Sequence, residues 1–254
     1  MKQIVVTCFV VLFAFGCKQN TDSATQNNDA KALLQKALQV HGEQLYNAAT
    51  VTFTINNYDF VLHREGYNYR YEMSRQTDTA KHTAVTFNGG FEYLVDGQLS
   101  TQGPRMDNIV KNRLNGVASD FYLPFELTGN DAIHSYEGQE VVRGKQYHKV
   151  KVAFKQIDPE VPDNRIFMLW IESKTFEIDF IGKQDGDRTS RKQFAAAANK
   201  RRQSGMLITD FENYQTRDKN KDVAIDSLGI YYNGGMMLVG RKTTYQNSDV
   251  KLNN

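Results

Sequence analysis

The sequence predicts an α+β fold that is mostly β, in which one large curved antiparallel sheet, an unclosed barrel, carries a few helices on its concave face. The first observation is that apolar and polar residues alternate through most of the chain after residue 49, as they do in half-buried strands. The second is that turn pairs such as Asp-Gly recur between these runs, so that short connections join consecutive strands. The third is that only a few segments have helical periodicity.

The N-terminal segment has the pattern of a bacterial lipoprotein signal peptide. Lys2 supplies a positive charge, residues 4–15 are almost entirely apolar, and Ala14-Phe15-Gly16 places small residues at positions −3 and −1 before Cys17. A helix of this apolar run would span about 18 Å, which is short of the roughly 30 Å core of a bilayer. We therefore expect residues 1–16 to be removed and Cys17 to carry lipid. A plain signal peptide or a buried N-terminal helix is the alternative.

After the lipidated cysteine, residues 17–30 are predicted to form a disordered tether, because they are mainly Asn, Gln, Asp, Ser and Thr. A helix is predicted over residues 30–40, where leucines and alanines recur on one face, with Asp29 as its cap. Residues 31–254 are expected to fold as a single β-rich domain. Cys8 would leave with the signal peptide, so no thiol would remain for disulfides, metal binding or nucleophilic catalysis.

The predicted helix ends at His41-Gly42. A glycine just past the last apolar position is typical of a helix C-cap, and a histidine there can complement the helix dipole. The alternative is a polar site at the helix end.

Five strands joined by short turns are predicted between about residue 51 and residue 97, which implies an antiparallel meander with one apolar face. The turns are marked by Asn56-Asn57, Gly66, Asn88-Gly89-Gly90 and Asp96-Gly97. The positions that share a face by alternation are Val51, Phe53 and Ile55, then Tyr58, Phe60 and Leu62, then Tyr67, Tyr69, Tyr71 and Met73.

A short helical insertion is predicted after Asp107, a candidate N-cap, and it leads into the aromatic segment 121–125, which Pro124 interrupts. An insertion of this kind with exposed apolar residues could act as a lid. Further strands are predicted at residues 139–142, 147–154, 166–172, 176–182, 191–197, 206–214 and 236–245.

Aromatic residues are concentrated on the first meander and have two interpretations. They fill the core beneath the helices, which is the ordinary outcome, or they line a groove for an apolar ligand. A wide sheet with few helices to cover it leaves room for the groove. The candidate lining residues are Phe53, Tyr58, Phe60, Tyr69, Tyr71, Phe91, Tyr93 and Trp170.

The charge balance argues against nucleic acid as a partner, because 31 basic residues face 29 acidic ones and both signs are spread along the chain. One cationic cluster, Lys200-Arg201-Arg202, is predicted to lie in a turn between Asn199 and Gly205. A solvated loop is the simple interpretation of this cluster, and contact with anionic lipid headgroups is the alternative.

No catalytic or metal-binding pattern emerges. The five histidines, His41, His63, His82, His134 and His148, are too widely spaced for a local metal motif. Residues 218–222 begin like a calcium loop, but Val223 stands where that loop needs glycine and Gly229 where it needs glutamate. No G-x-S-x-G motif occurs. We therefore expect no metal, no cofactor and no enzyme activity. The alternative is a hydrolase whose site assembles from distant residues.

From about residue 31 to residue 215 the order and spacing of several short motifs resemble an uncharacterised family of lipoproteins from Bacteroidota, known only as a domain of unknown function. The first motif that carries this resemblance is the signal-peptide pattern that ends at Cys17, the lipobox. The others are His41-Gly42, Val51-Thr52-Phe53, Tyr69-Arg70-Tyr71-Glu72, Tyr122-Leu123-Pro124-Phe125, residues 147–152, residues 168–172 and residues 176–179.

A more distant resemblance is to lipoprotein carriers of the LolA/LolB type, and it rests on the hairpin whose first strand contains Trp170 and ends at Glu172. That resemblance implies an unclosed barrel whose concave side, covered by helices, holds acyl chains. The tail, residues 227–254, has no counterpart in either resemblance.

These expectations combine into a cell-envelope lipoprotein, anchored through Cys17, that binds a lipid or another hydrophobic ligand in the groove of its sheet. The alternative is a structural or protein-interaction lipoprotein with a filled core. The expected partners are the membrane and a hydrophobic molecule or acyl chain, and the sequence identifies no protein partner. Lys18-Gln19-Asn20 lacks the acidic run associated with surface export, which favours an outer-membrane position facing the periplasm.

Overall fold

The computed structural model describes residues 23–156, 163–186, 192–217 and 222–253, with the side chains from residue 29 onward. The predicted signal peptide and Cys17 lie outside these residues, as does most of the 218–222 segment. The fold class is confirmed, because the described chain is mostly antiparallel β-structure with four α-helices. Hydrogen bonds divide the strands between two seven-stranded sheets, whereas the sequence predicted one continuous sheet.

The first sheet, sheet A, is the predicted five-stranded meander with two added strands, a short sixth strand of the meander and one strand from the C-terminal tail. Its consecutive strands are β1 (Ala49–Ile55), β2 (Tyr58–Glu65), β3 (Asn68–Gln76), β4 (Lys81–Phe87), β5 (Gly90–Val95) and β6 (Gln98–Ser100). Buried and half-buried residues alternate along β1, as expected of a sheet with one face in the core. Tyr67 departs from the prediction, since it lies in the β2–β3 turn and its side chain is fully exposed.

Two helices follow β6 before the second sheet begins. They are α2 (Pro104–Phe121) and α3 (Leu123–Glu126). The predicted cap was misplaced, because α2 begins at Pro104, upstream of Asp107. Proline suits a first helical turn, where no hydrogen bond needs its missing N–H. The Asp107 carboxylate instead accepts bonds from the Thr101 hydroxyl at 2.5 Å and the Gln102 backbone N–H at 3.0 Å.

The second sheet, sheet B, contains β7 (Ala132–Val142), β8 (Lys145–Phe154), β9 (Ile166–Glu172), β10 (Ile178–Gln184), β11 (Lys192–Gln203), β12 (Met206–Thr216) and β13 (Met237–Thr243), in the spatial order 13-12-11-10-9-8-7. Its central strands are buried on both faces. On β9, Phe167, Leu169 and Ile171 belong to one hydrophobic cluster, and Met168 and Trp170 belong to another. This double burial explains the unbroken apolar run in that strand.

The residues of the basic cluster, Lys200-Arg201-Arg202, are part of β11, so their prediction as a turn was wrong. The turn lies at Ser204 and Gly205, both with positive φ. The Lys200 ammonium lies 2.7 Å from the Glu177 carboxylate and also pairs with Asp179, and Arg201 pairs with Asp210. These ion pairs allow basic side chains to stay within a packed strand.

The N-terminal helix α1 (Ser23–His41) begins before Ala30, the first residue of the predicted helix, and takes in the second half of the predicted tether. Its side chains Ala30, Leu34 and Ala37 are buried in the cluster that covers one face of sheet B. Gly42 follows with φ 93°, ψ 48°, the left-handed conformation expected of a helix C-cap. None of the helices in the described ranges is long and apolar enough to cross a membrane.

The C-terminal tail completes both sheets. Its helix α4 (Leu228–Asn233) packs on the second face of sheet B, where Leu228 is buried in the same cluster as Trp170. β13 forms an edge of sheet B, and β14 (Gln246–Leu252) pairs with β1 of sheet A, with Val250 opposite Val51. The tail therefore contributes one strand to each of the two sheets.

Candidate functional site

All but one of the predicted groove residues come together on the inner face of sheet A, beneath α2. Strand alternation and the antiparallel register place them there, with Phe53 directly opposite Phe60. The buried members are Phe53, Phe60, Tyr71 and Tyr93, and the half-buried ones that pack against the same cluster are Tyr58, Tyr69 and Phe91.

Trp170 lies apart from this group. It is fully buried on the second face of sheet B, where its ring packs against Phe194 at 5.3 Å between centroids. Its indole N–H donates to the Glu140 carboxylate at 3.0 Å. The sequence grouped Trp170 with the other aromatic residues because alternation does not specify which sheet, or which face of it, a strand covers.

Five further rings, none of which the sequence analysis assigned to the site, pack above sheet A. Phe53 stacks on Phe121 at 5.2 Å and meets Tyr245 edge-on at 4.9 Å. Tyr46 stacks on Phe125 at 5.5 Å and meets Tyr122 at 5.9 Å. The aromatic segment 121–125 was a visible signal for this role. Tyr46 and Tyr245 gave none, because they enter from opposite ends of the chain.

A cavity of about 30 Å³ lies beside this interior, between the α2–α3 segment and sheet B. Its walls include Phe121, Ile181, Met206 and Tyr245, together with the buried Thr209. The Thr209 hydroxyl has no hydrogen-bond partner among the described residues. A space of this size holds about one water molecule. In this conformation aromatic rings pack the interior above sheet A, and the cavity beside it is too small for an acyl chain.

His41 gives the same interior a polar edge. It is buried, it lines the cavity, and its Nε2 accepts the backbone N–H of Ile178 at 3.2 Å. Burial, reinforced by the nearby Lys200 charge, lowers the pKa of His41 to about 4. His41 is therefore neutral at neutral pH, which contradicts its expected role as a charged partner of the helix dipole.

Arg64 closes the other side of the aromatic interior. Its guanidinium lies 4.1 Å from the centre of the Tyr122 ring, donates to the Tyr71 hydroxyl at 2.5 Å and pairs with Glu126 at 3.0 Å. The Tyr122 hydroxyl is buried without a partner among the described residues. Burial raises the pKa of Tyr71 to about 12 and that of Tyr122 as well, so both phenols are protonated at neutral pH.

Helix α2 covers this interior, and few of its side chains are fully buried. Of its side chains only Leu114 and Ala118 are fully buried, and Val117 packs half-buried against the cluster. The Arg113 guanidinium lies over the Tyr58 ring at 4.3 Å, which ties the middle of the helix to β2. A helix with so few buried side chains opens at a low free-energy cost compared with a central strand.

A wider opening, of about 700 Å³, lies on the other side of sheet B. Charged side chains form much of its wall, including Lys151, Asp163, Arg165 and Asp222. Its mixed charged and apolar walls do not match the aromatic groove that the sequence predicts.

The family model of DUF6503, a family of unknown function, matches residues 8–243. The chain belongs to the DUF6503 family. This confirms the predicted membership of a family of unknown function. No curated protein matches the DUF6503 chain in sequence.

Several solved structures are distantly similar to the DUF6503 chain. A DUF1329 family protein from Desulfovibrio piger has 10% identity and a TM-score of 0.46, with 88% of this chain and 92% of that protein covered. A Vibrio parahaemolyticus protein described as an outer membrane lipoprotein-sorting domain has 8% identity and a TM-score of 0.36, covering 90% and 92%. The Mycobacterium tuberculosis lipoprotein LppX has 14% identity and a TM-score of 0.27, covering 61% and 88%. Likeness at this level does not establish a shared function.

The described part of the DUF6503 chain contains no cluster of three His, Cys, Asp or Glu side chains placed to hold a metal ion. Its histidines are engaged separately, for example His82 with the Tyr93 hydroxyl at 2.9 Å and His148 with the Tyr136 hydroxyl at 3.1 Å. The aromatic interior under α2 is therefore the candidate site.

Proposed function

We propose that this DUF6503 protein is an outer-membrane lipoprotein of the cell envelope, facing the periplasm, that binds a lipid or another hydrophobic molecule beneath α2. The ligand would occupy the space between α2 and the inner face of sheet A, where Phe53, Phe60, Tyr71 and Tyr93 lie. Binding requires α2 to move, because the interior is packed when the helix is seated. No step of the proposal involves catalysis.

The observation that carries this proposal is the difference between sheet A and the helix α2 that covers it. Sheet A presents a continuous aromatic surface, whereas α2 above it has two fully buried side chains and, at its end, the half-buried Phe121 ring. Apolar surface of that extent binds acyl chains well once it is uncovered, since each buried CH₂ contributes about 0.8 kcal/mol. The small cavity beside Phe121 gives an entering chain a place to begin.

The second candidate is a structural or protein-interaction lipoprotein whose aromatic interior is a permanent core. The observation that favours it is the tight packing of the seated state, in which the cavity is only about 30 Å³. The two candidates differ in whether α2 ever leaves the sheet.

The test is photo-crosslinking in cells that express the full chain and are fed a clickable, photoactivatable fatty acid. After irradiation the chain is purified and digested, and the labelled peptides are identified by mass spectrometry. Ligand binding predicts label in peptides from β2, β3 and α2. Label confined to the N-terminal lipid would support the filled-core candidate instead.

A matched pair of variants sharpens the test. Arg113→Ala removes the contact of α2 with Tyr58, and loss of one cation–π contact raises the open population by roughly two- to five-fold. Labelling of sheet A should rise by the same factor. Arg143→Ala removes a similar contact with Tyr232 at 4.9 Å, near α4, and should leave the labelling unchanged. Equal behaviour of the two variants would contradict a lid role for α2.

A further inference from the structure

Three apolar side chains are exposed where β6 leads into α2. Leu99 is 74% exposed, Met106 44% and Ile109 50%. Leu99 lies on the edge strand of sheet A, and the other two lie in the first turns of α2. We call these residues, together with the basic side chains of the same helical segment, the β6–α2 surface.

The basic side chains are Arg105, Lys111 and Arg113. Between residues 97 and 119 the sole acidic residue is Asp107, so this segment has a net charge of +2, as large as that of the entire chain. The Asp107 carboxylate is already occupied by Thr101 and Gln102. No described carboxylate forms an ion pair with Arg105 or Lys111. The surface therefore combines exposed apolar groups with two cations, Arg105 and Lys111, that have no ion-pair partner within the described structure, whereas Arg113 lies over the Tyr58 ring.

We propose that the β6–α2 surface docks on an anionic lipid bilayer. Apolar side chains of an interfacial helix enter the boundary between headgroups and acyl chains, and basic side chains beside them pair with lipid phosphates. The expected lipid on Cys17 keeps the domain near a membrane, and docking of this surface sets its orientation there. The inference concerns the outside of α2 and does not require a ligand beneath the helix.

A second exposed apolar surface lies on β13, where Val239 is 66% exposed, and it serves as the control. Basic residues, Arg241 and Lys242, also lie on that strand. The Lys242 ammonium, however, lies 3.9 Å from the Glu212 carboxylate, so one of the two basic side chains on β13 has an ion-pair partner within the structure.

The experiment replaces Ile109, or in a separate sample Val239, with an environment-sensitive fluorescent amino acid in the full chain. Each protein is reconstituted with vesicles of phosphatidylcholine alone or of phosphatidylcholine with phosphatidylglycerol. Docking predicts a blue shift and quenching by spin-labelled lipid at position 109, larger with phosphatidylglycerol and reduced by high salt. Position 239 should show neither change.

Charge variants test the electrostatic part. Arg105→Glu with Lys111→Glu should lower the docked population by roughly tenfold or more, and Lys111→Gln by a smaller factor. Unchanged emission from the buried Trp170 shows that the fold is intact in each variant. The proposal is overturned by the absence of a shift at position 109, by equal shifts at both positions, or by equal shifts with and without phosphatidylglycerol.

Discussion

The Arg201 guanidinium on β11 lies 3.0 Å from the Asp210 carboxylate on β12. This pair holds the crossing, the short segment where the chain passes from sheet B to sheet A. The same carboxylate accepts the backbone N–H of Tyr245 at 3.0 Å, and Arg201 also donates to the Tyr245 carbonyl and to the Ser248 hydroxyl. Residues 244–245 carry the chain from β13 in sheet B to β14 in sheet A. This partly buried ion pair therefore helps to fix the position of the last strand.

Asp210→Ala should destabilise the fold by about 2–4 kcal/mol, because it leaves the Arg201 charge and the Tyr245 N–H without their acceptor. We place the value below that of a fully buried pair, since the Arg201 side chain is 26% exposed. Urea denaturation of the full chain measures the difference. Asp249→Ala, which removes an exposed pair with Lys251, is the control and should change the stability by less than about 1 kcal/mol. Similar losses in both variants would show that Arg201 and Asp210 do not hold the crossing.

Substitution by alanine should change the stability of the fold in opposite directions at Gly229 and at Gly116. A Cβ at Gly229 would lie 2.6 Å from the Glu140 carboxylate and 2.9 Å from the Trp170 indole nitrogen, so α4 must shift. Gly229→Ala should therefore destabilise the fold by about 1–3 kcal/mol. A Cβ at Gly116 in α2 meets nothing within 4 Å, and Gly116→Ala should stabilise by about 0.5–1 kcal/mol through helix propensity.

Fluorescence separates these two glycine variants without a denaturant. Trp170 is the single tryptophan of the chain and is fully buried. Its emission should shift to the red in Gly229→Ala and stay unchanged in Gly116→Ala. An unshifted Gly229→Ala spectrum together with parent-like stability would mean that α4 does not pack on Trp170 as described.

The stability of the fold should decrease as the pH is lowered, partly because of His41. The pKa of this buried histidine is lowered to about 4 from 6.5, so the unfolded chain takes up the proton first. The stability is therefore complete above about pH 6.5 and is lost as the pH falls toward 4, by about 3 kcal/mol in all. His41→Gln should remove this part of the pH dependence. His63→Gln should retain it, and if the two variants have the same pH profile, His41 is not the group responsible.

Cys17→Ala should abolish lipidation, leaving an unprocessed precursor whose maturation no longer responds to globomycin. The physical reason is that the expected lipid is attached through the thiol of this residue, which alanine lacks. Cell fractionation and the mass of the purified chain provide the measurement. Cys8→Ala, within the apolar part of the signal peptide, is the matched control and should be processed as the parent is. Normal processing of Cys17→Ala would rule out the lipoprotein assignment.

Much of the local structure was predictable because it depends on neighbours in sequence. The meander followed from alternation between Val51 and Met73, and its turns lie where Asn56 and Asp96 adopt positive φ. The sequence also predicted Gly42 as a helix cap. It failed at Lys200, whose position on a strand is stabilised by ion pairs with Glu177 and Asp179, and at Ser23, where α1 begins earlier than predicted.

The sequence predicted which residues form the aromatic face of the candidate site, but not which side chains pack against that face. Alternation assigned Phe53, Phe60, Tyr71 and Tyr93 to one face, because successive side chains of any strand point to opposite sides. What stands on that face depends on Tyr46 and Tyr245, which lie far apart in the chain and meet the strands only after folding.

The sequence alone thus determined the mostly β class, the aromatic face of sheet A and, as an expectation, the lipid anchor at Cys17. The tertiary structure decided that Val51 pairs with Val250, that α4 covers Trp170, and that rings from α2 and α3 fill the space above the aromatic face. The physical reason is that backbone geometry fixes which side of its own strand a residue faces. Which elements then meet depends on closing long loops and burying apolar surface across the whole chain.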